Sequence, residues 1–306
     1  MYDCIIIGCG PAGMTAVVYA ARKKMNILLV AEEFGGQPMW TREIENYMGY
    51  QYISGPELMT KFEEQIRRYP LQIKYEKVDN IINDNGETFL VITSENTYKA
   101  RTVIIASGKR PRKLQVPGEE EYTGRGVSYC ATCDGPLFSG KTVAVVGGGN
   151  SAVQAAVELS AIAEKVFVVV RRELSADPVV IDRFHEAANI ETIKGYEASG
   201  ITGKEFVETF TVVHKDSRDQ KELSVQGIFV EVGLTPNADF VSDLVDKNPY
   251  GEIIVNCRME TKTPGLFAAG DVTDGPDKQI VIAAGDGAKA ALVAYEYLLY
   301  RQQNRI

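Results

Sequence analysis

Two cysteines separated by two residues, Cys130 and Cys133, form the segment of the sequence best suited to chemistry. A disulfide between them closes a very small ring, so it removes little entropy from the unfolded chain and stabilises the fold weakly. Such a pair is suited to opening and closing, because a CxxC motif can lower a thiol pKa and speed thiol–disulfide exchange. Asp134 follows directly and could carry the proton that moves when the disulfide is reduced. The segment therefore predicts reversible redox chemistry.

The same cysteine spacing also supplies half of the ligands in many zinc sites. A complete site would need two more ligands, and the chain offers only these further cysteines and histidines: Cys4, Cys9, Cys257, His185 and His214. Cys4 and Cys9 fall on a predicted buried strand and a glycine loop, which leaves no second pair. We therefore favour redox chemistry and predict no metal site.

Composition and charge narrow the class of protein. The chain has 306 residues, enough for about two domains, and its 45% hydrophobic and 24% charged residues are typical of a globular protein. The net charge of −8 argues against nonspecific nucleic-acid binding. The N-terminus enters an apolar strand without a basic leader, and no apolar run approaches the roughly 20 residues that span a bilayer. With one close cysteine pair, we expect a cytoplasmic protein that does not enter the membrane.

A glycine-rich loop near the N-terminus is the first element that could position a ligand. The apolar run Cys4–Ile7 predicts a strand buried in a parallel sheet, and a helix follows to about Lys24. Between them lie the loop residues Gly8, Gly10, Pro11, Ala12 and Gly13. Glycines at this spacing let the backbone approach a pyrophosphate at the helix N-terminus. The next strand, Ile27–Val30, ends before Glu32 and Glu33, either of which could bind a ribose.

Between the first glycine loop and the cysteine pair, the sequence predicts a further helix and then a series of strands. A capping box at Ser54–Glu57 predicts the start of a helix that runs to about Tyr69. Alternating apolar residues from 74 to 105 then predict an antiparallel excursion, with a return to the parallel sheet at Val103–Gly108.

A second strand, glycine loop and helix follow the cysteine pair. The strand is Lys141–Val146, and the loop residues are Gly147, Gly149, Asn150, Ser151 and Ala152. The chain therefore contains two dinucleotide-binding units. The following strand, Lys165–Val170, ends in Arg171 and Arg172 rather than an acid, which disfavours a bare ribose 2′-hydroxyl and favours a 2′-phosphate. The alternative is a pair of exposed arginines at a strand end.

The C-terminal part adds a third group of candidate residues. An apolar strand ends in Gly270 and Asp271, a place to bind a ribityl hydroxyl or a phosphate-linked group. The last helix opens at Lys278, Gln279 and Ile280 and is predicted to run to about Tyr300. Gly285 and Gly287 near its start either admit a ring or only pack the helix.

In this order, the two glycine loops, the cysteine pair and the late Gly270-Asp271 make the chain resemble the low-molecular-weight thioredoxin reductases over nearly all of its length. The resemblance implies an α/β fold of two Rossmann-like, three-layer ββα dinucleotide-binding domains, the second inserted in the first. The FAD-binding domain would comprise residues 1–115 and 245–306. The inserted pyridine-nucleotide-type domain, carrying the cysteine pair, would comprise residues 116–244.

The resemblance also implies roles for individual residues. Cys133 would face the flavin, Cys130 would attack the disulfide of thioredoxin, Asp134 would be the general acid, and Gln279 would lie close to the flavin. The loop containing Gly36 and Gln37 could lie against the flavin ring or form only a turn. The family's dimer habit implies a homodimer.

The electron donor implied by the resemblance is NADPH. The family's phosphate motif is His-Arg-Arg followed by another Arg, whereas this chain has Val170-Arg171-Arg172 without the later arginine. The missing donors weaken a 2′-phosphate clamp. Some family branches take electrons from ferredoxin instead. A basic run could then dock an acidic ferredoxin, or be only a solvated loop; it contains Lys109, Arg110, Arg112 and Lys113.

Two further alternatives remain. The NADH-dependent flavoprotein of alkyl hydroperoxide reductase is similar around Cys130–Phe138 and Lys278–Ile282, but it carries an additional N-terminal thioredoxin-like domain that we do not find in this chain. A non-catalytic flavin redox sensor is the alternative outside the enzymes, although two nucleotide-binding units exceed what a sensor needs. We therefore predict FAD, and place NADPH slightly ahead of ferredoxin as the donor.

Overall fold

The structure is a computed structural model that describes residues 1–41, 44–241 and 243–303. The chain forms two compact units, one made of Met1–Arg110 with Thr235–Ile306 and the other of Pro111–Leu234. The boundaries predicted after residue 115 and before residue 245 therefore lie later in the chain than those of the structure. Segment 235–244 belongs to the first unit because Ala238 and Val241 are buried in its core.

The elements are numbered in chain order. The strands are β1 (Tyr2–Cys9), β2 (Ile27–Phe34), β3 (Gln72–Tyr75), β4 (Val78–Asp84), β5 (Thr88–Thr93), β6 (Thr97–Ile105), β7 (Lys109–Pro111), β8 (Val127–Ser128), β9 (Thr142–Val146), β10 (Lys165–Val170), β11 (Ile190–Lys194), β12 (Tyr196–Gly203), β13 (Val207–His214), β14 (Gln220–Ser224), β15 (Gly227–Val230), β16 (Leu234–Pro236) and β17 (Leu266–Ala268). The α-helices are α1 (Pro11–Arg22), α2 (Gly55–Ile66), α3 (Glu119–Tyr122), α4 (Ala131–Asp134), α5 (Asn150–Ser160), α6 (Pro178–Glu186) and α7 (Ile280–Gln303). Short 3-10 turns lie at Gln37–Trp40, Gly135–Phe138 and Gly270–Val272.

The first unit is built on a seven-stranded sheet in the order β3-β2-β1-β6-β5-β4, with β17 also paired to β6. Strand β6 changes partner along its length: Ala100 lies opposite Phe89 of antiparallel β5, whereas Val103 lies opposite Leu266 of parallel β17. This is the antiparallel excursion and return that the sequence predicts.

Strand β1 is apolar at successive positions because both of its faces are covered. Cys4 and Ile6 are buried in the core that contains α1, whereas Ile5 and Ile7 are buried in the core on the other face of the sheet. Because successive side chains point to opposite faces, a strand covered on both sides must be apolar at every position.

The second unit has three layers. A five-stranded parallel sheet in the order β11-β10-β9-β15-β8 lies between the helices α5 and α6 and a three-stranded antiparallel sheet, β12-β13-β14. Val145 and Val168 pack on the helical side, and Ala144 and Val169 pack with the antiparallel sheet. The second glycine loop leaves β9 at the centre of this sheet.

Local signals place most helix starts correctly. Ser54 caps α2 in a capping box, with its Oγ accepting the N–H of Glu57 at 3.3 Å while the Glu57 carboxylate accepts the N–H of Ser54 at 3.2 Å. Helices α1 and α2 end a few residues before their predicted ends, and helices α3, α4 and α6 are elements that the sequence did not predict. No helix in the described part of the chain is both long and apolar enough to cross a bilayer.

Candidate active site

Cys130 and Cys133 are joined as a disulfide, with their Cα atoms 5.3 Å apart. Cys130 is the N-cap of α4, and its sulfur accepts the backbone N–H of Cys133 at 3.1 Å. A backbone N–H directed at a sulfur stabilises the thiolate that forms on reduction. Cys130 is half-buried and Cys133 is exposed. The geometry therefore favours Cys130 as the sulfur that carries negative charge.

Ser128 connects the third candidate, Asp134, to this cysteine. The buried Ser128 hydroxyl donates to a carboxylate oxygen of Asp134 at 2.7 Å, and its oxygen accepts the N–H of Cys130 at 3.0 Å. One small side chain thus fixes both the carboxylate and the backbone at the cysteine. Ser128 was not among the predicted site residues, although it lies two positions before the motif.

Thr132, between the two cysteines, is tied to helix α5. Its hydroxyl donates to the Glu158 carboxylate at 3.0 Å. This bond joins the turn of the CxxC motif to the helix that follows the second glycine loop.

The first glycine loop brings three backbone segments together. A Cβ on Gly8 would lie 2.2 Å from the carbonyl oxygen of Ala106, and one on Gly13 would lie 1.8 Å from the oxygen of Gly8. Only glycine fits at either position. Gly10, the N-cap of α1, has no side chain with which to cap the helix. Gly36 approaches this loop closely, because a Cβ atom on Gly36 would lie 3.5 Å from the Cα atom of Gly10. The uncapped N–H groups of α1 are free to bind an anion.

Asp271 and Gln37, predicted from separate parts of the chain, meet in the structure. The Gln37 side-chain amide donates to the Asp271 carboxylate at 3.2 Å. Burial raises the pKa of Asp271, although the charge of Lys278 and the bond from Gln37 lower it. Asp286, which the sequence did not single out, joins them because its carboxylate accepts a backbone hydrogen bond from Gly270.

Lys278 is engaged inside the first unit. Its ammonium donates to the carbonyl oxygen of Thr273 at 2.5 Å and lies 3.3 Å from the Glu252 carboxylate. Glu252 also pairs with Lys109 at 2.7 Å, where both side chains are 12% exposed. Burial alone would raise the pKa of Glu252, but hydrogen bonds from Lys109 and Asn248 and the charges of both lysines lower it to about 2.

The basic run is largely neutralised by acids of the same chain. Besides the Lys109–Glu252 pair, Arg110 contacts Asp239 at 2.7 Å and Lys113 contacts Glu120 at 2.8 Å. These acids lie far along the chain from the run or in the following helix, so the sequence pattern overstated the free positive charge. Three of the four basic residues of the run are therefore paired with acids of the chain, and ferredoxin docking stays a prediction.

Of the remaining candidate residues of the first unit, some contact neighbouring residues and others are open to solvent. Gly287 is a packing position, since a Cβ there would lie 2.0 Å from the carbonyl oxygen of Ala12 in α1, whereas Gly285 faces open space. The Gln279 side chain accepts from Asn46 at 3.1 Å. Glu32 is exposed near the end of β2.

The second glycine loop repeats the first in the second unit. A Cβ on Gly147 would lie 2.1 Å from the carbonyl oxygen of Glu231 and 3.0 Å from the Cβ atom of Ala152. Gly149 is the N-cap of α5 and has no side chain to cap it. Asn150 instead holds the chain beyond β10, because its side chain donates to the Asp177 carboxylate at 3.0 Å and accepts the Asp177 N–H at 2.7 Å.

Arg171 and Arg172 follow β10 directly and are exposed. Arg171 lies 3.5 Å from the Glu197 carboxylate, which Arg218 approaches at the same distance. Both ends of the first pair contact solvent, so this contact holds Arg171 weakly.

Within the described ranges, no three or more histidine, cysteine or acidic side chains are arranged to hold a metal ion. Burial raises the pKa of Cys4 to about 12 and that of Cys9 to about 11, so both thiols stay protonated.

A family model described as pyridine nucleotide-disulphide oxidoreductase matches residues 2–288. The chain belongs to this family. Among solved structures, the fold of this pyridine nucleotide-disulphide oxidoreductase is similar to thioredoxin reductase from Lactococcus lactis, with 40% identity, 98% and 100% of the two chains covered and a TM-score of 0.94. It is also similar to a ferredoxin-flavin thioredoxin reductase from Clostridium acetobutylicum, with 36% identity, 98% of each chain covered and a TM-score of 0.54. The resemblance to low-molecular-weight thioredoxin reductases and the predicted α/β fold with two dinucleotide-binding domains are confirmed.

Curated relatives add a second branch. An alkyl hydroperoxide reductase component of Pseudomonas putida is 42% identical over 303 residues, covering 97% of this chain and 58% of the relative. The chain spans between 57% and 59% of the length of such relatives.

Members of this oxidoreductase family bind FAD. The first unit fits that cofactor on its own geometry, since Gly8 and Gly13 admit close backbone approach and the uncapped start of α1 offers N–H groups to a diphosphate. Gln37 and Asp271 supply polar groups beside this loop.

Proposed function

We propose that this chain is a FAD-dependent disulfide reductase that reduces thioredoxin, or a similar small dithiol protein, through Cys130 and Cys133. The observation that supports it most is the closed Cys130–Cys133 disulfide beside a carboxylate, Asp134, that Ser128 holds in place. Flavin, when bound, supplies the two electrons that open a disulfide. The proposal assigns FAD to the first unit, through Gly8–Gly13, Gln37 and Asp271.

The dithiol step follows from the geometry of α4. Reduction of the disulfide with two electrons and two protons yields two thiols, and we assign the holding of a proton to Asp134, which directly follows Cys133 and is held by Ser128. The Cys130 thiolate, stabilised by the Cys133 N–H, attacks the disulfide of the substrate and releases one of its thiolates. Cys133 then attacks the Cys130 sulfur in the mixed disulfide, which releases the second thiolate and restores the original bond.

The order of attack can be tested with single cysteine variants. Cys133→Ser should form a stable mixed disulfide with thioredoxin, because Cys130 can attack but nothing resolves the product. Cys130→Ser should form none, and Cys257→Ser, which removes an exposed free cysteine, should turn over normally. A mixed disulfide that forms through Cys133 alone would contradict the assignment.

NADPH is the donor that we propose, bound by the second glycine loop and by Arg171 and Arg172. The exposed arginines after β10 and the uncapped start of α5 support it. Ferredoxin is the second candidate, supported by the similarity to a ferredoxin-flavin thioredoxin reductase and weakened by the internal pairing of the basic run.

Anaerobic mixing distinguishes the donors. Rapid bleaching of the flavin band by NADPH supports the first, and bleaching only by reduced ferredoxin supports the second. Preference for NADH, with electrons delivered to a hydroperoxide-reducing partner, would favour the alkyl hydroperoxide reductase branch. The homodimer and the cytoplasmic location stay predictions.

A further inference from the structure

Glu231 lies directly beside the second glycine loop. Strand β15 pairs with β9 so that Val230 lies opposite Val146, and the N–H of Glu231 donates to the Val146 carbonyl at 2.8 Å. The carbonyl oxygen of Glu231 occupies the space that a side chain on Gly147 would need. The strand order also reverses between β9 and β15, because β10 lies on the other side of β9. Ligands of open parallel sheets bind at such a reversal.

The Glu231 side chain reaches the start of helix α5. On β15, Phe229 packs with the helices and Val230 with the antiparallel sheet, so Glu231 points to the helical side by alternation. There the hydroxyl of Ser151, the second residue of α5, lowers the pKa of its carboxyl. The helix has no acidic residue of its own in the first turn, and its N-cap, Gly149, has no side chain. An acid from a neighbouring strand therefore stands at the helix end to which a dinucleotide would bring its diphosphate.

The surroundings of Glu231 contain no compensating positive charge among the described residues that act on it. Burial is the main effect and raises its pKa to about 7; the Ser151 hydroxyl lowers it, and the Glu158 carboxylate on α5 raises it. Strand β9 and Gly147–Gly149 contribute only apolar side chains and backbone at this point. Strand β8, on the other edge of β15, leads into Cys130 and the carboxylate of Asp134, so this side brings no cation either. The carboxyl therefore changes charge near neutral pH, with a second acid and no cation facing it.

We propose that Glu231 sets the affinity of the second glycine loop for a dinucleotide, which binds well while this carboxyl is neutral and poorly once it is ionised. The inference deepens the proposed function, since it rests on the use of this loop for a nucleotide. Bringing a diphosphate to a helix end already occupied by a carboxylate places like charges in a poorly solvated site. Binding above neutral pH must then take up a proton onto Glu231.

The size of the effect follows from the fraction of protein in the binding form. If only the neutral form binds, the apparent dissociation constant rises about tenfold between pH 6 and pH 8 for a group that titrates near pH 7. Glu231→Gln keeps the shape and the hydrogen-bonding capacity but removes the charge. It should bind with nearly constant affinity across this range and about tenfold more tightly than the native protein at pH 8.

The test is calorimetric titration of the oxidised, FAD-loaded protein with NAD⁺, whose diphosphate stays ionised throughout this range. Native protein, Glu231→Gln and the control Glu222→Gln are compared at pH 6, 7 and 8. Glu222 is exposed on β14 of the same unit, so its loss removes one charge without touching the loop. Repeating the pH 8 titration in buffers of different ionisation enthalpy gives the number of protons taken up per nucleotide.

We expect proton uptake and weakening with pH in the native protein and in Glu222→Gln, and neither in Glu231→Gln. Absence of proton uptake by the native protein at pH 8 would overturn the inference even if the variant fails to fold. So would equal pH dependence in all three proteins, or no binding of NAD⁺ at any pH. Reduction of thioredoxin by photoreduced flavin, which needs no nucleotide, separates these failures from a failure of the disulfide reductase function.

Discussion

Replacing Glu252 with Gln removes the carboxylate shared by two lysines of the first unit. Lys109 and Lys278 both contact it, and Lys109 is only 12% exposed, so the variant leaves a buried ammonium without a counter-charge. The pKa of Glu252 falls from the ordinary 4.5 to about 2 in the fold. At about 1.4 kcal/mol for each pH unit, this lowering corresponds to about 3.4 kcal/mol of stability at pH 7.

The sign of this contribution sets its pH dependence. A carboxyl with a lowered pKa stabilises the fold above its unfolded value and loses that contribution as the pH falls towards the folded value. The difference between native protein and Glu252→Gln should therefore be about 3.4 kcal/mol at pH 7 and shrink to about 1.4 kcal/mol at pH 3. Removing these charges from water costs free energy, so both stability differences are upper values.

The assay is urea unfolding of both proteins at saturating FAD, followed at pH 7, 5, 4 and 3. The control is Asp246→Asn, which breaks the Lys262–Asp246 pair of the same unit, where the side chains are 44% and 61% exposed. An exposed pair of this kind contributes about 1 kcal/mol or less. A loss for Glu252→Gln no larger than that of the control, or a difference that does not shrink with falling pH, would refute the reasoning.

Three other predictions concern positions described above. Gly287→Ala should destabilise the protein by about 2 kcal/mol or more and lower its FAD content, because the new Cβ meets the backbone of the first helix. Gly285→Ala places its Cβ in open space and should instead raise the melting temperature, because alanine is up to about 1 kcal/mol more favourable than glycine in a helix. Equal effects of Gly287→Ala and Gly285→Ala would contradict the packing argument. Ser128→Ala should slow thioredoxin turnover about tenfold at unchanged flavin content, since it frees the carboxylate after the cysteines; unchanged turnover would show that this bond has no positioning role. Glu231→Gln should be up to about 3 kcal/mol more stable than native protein in urea at pH 8. The reason is that the raised pKa of Glu231 lowers the stability of the native protein as the pH rises from 4.5 to about 7, whereas glutamine does not titrate. The gain should vanish near pH 4. Glu222→Gln should show no such pH-dependent gain.

The parts of the fold that the sequence predicted are those specified locally. The glycines at 8 and 13 are dictated by the tight turn between a strand and its helix, and the Ser54–Glu57 capping box is complete within four residues. The apolar run of β1 likewise reports its own burial on both faces. Each of these signals needs no knowledge of distant residues.

Most of the site residues that the sequence missed acquire their roles from distant neighbours; Ser128, whose partners lie within six positions, is the exception. Glu252 and Lys109 are 143 positions apart in the chain, so the sequence around either residue does not indicate that they pair. Arg110 and Asp239 are likewise 129 positions apart, so the sequence does not show that this arginine is paired. Glu231 did leave a signal, since it is the one acid in the apolar stretch Ile228–Val232, and an acid there can persist only with a special environment.

The partner exchange along β6 bears on the order in which the protein is made and folds. Residues 111–234 are contiguous, so this unit can fold on the ribosome as soon as they have emerged. The first unit must wait, since β17 and α7, which complete its sheet and pack on α1, are synthesised only after residues 111–234. Its apolar β1 and β6 remain unprotected during that interval, which makes this half of the protein the one more exposed to aggregation during translation.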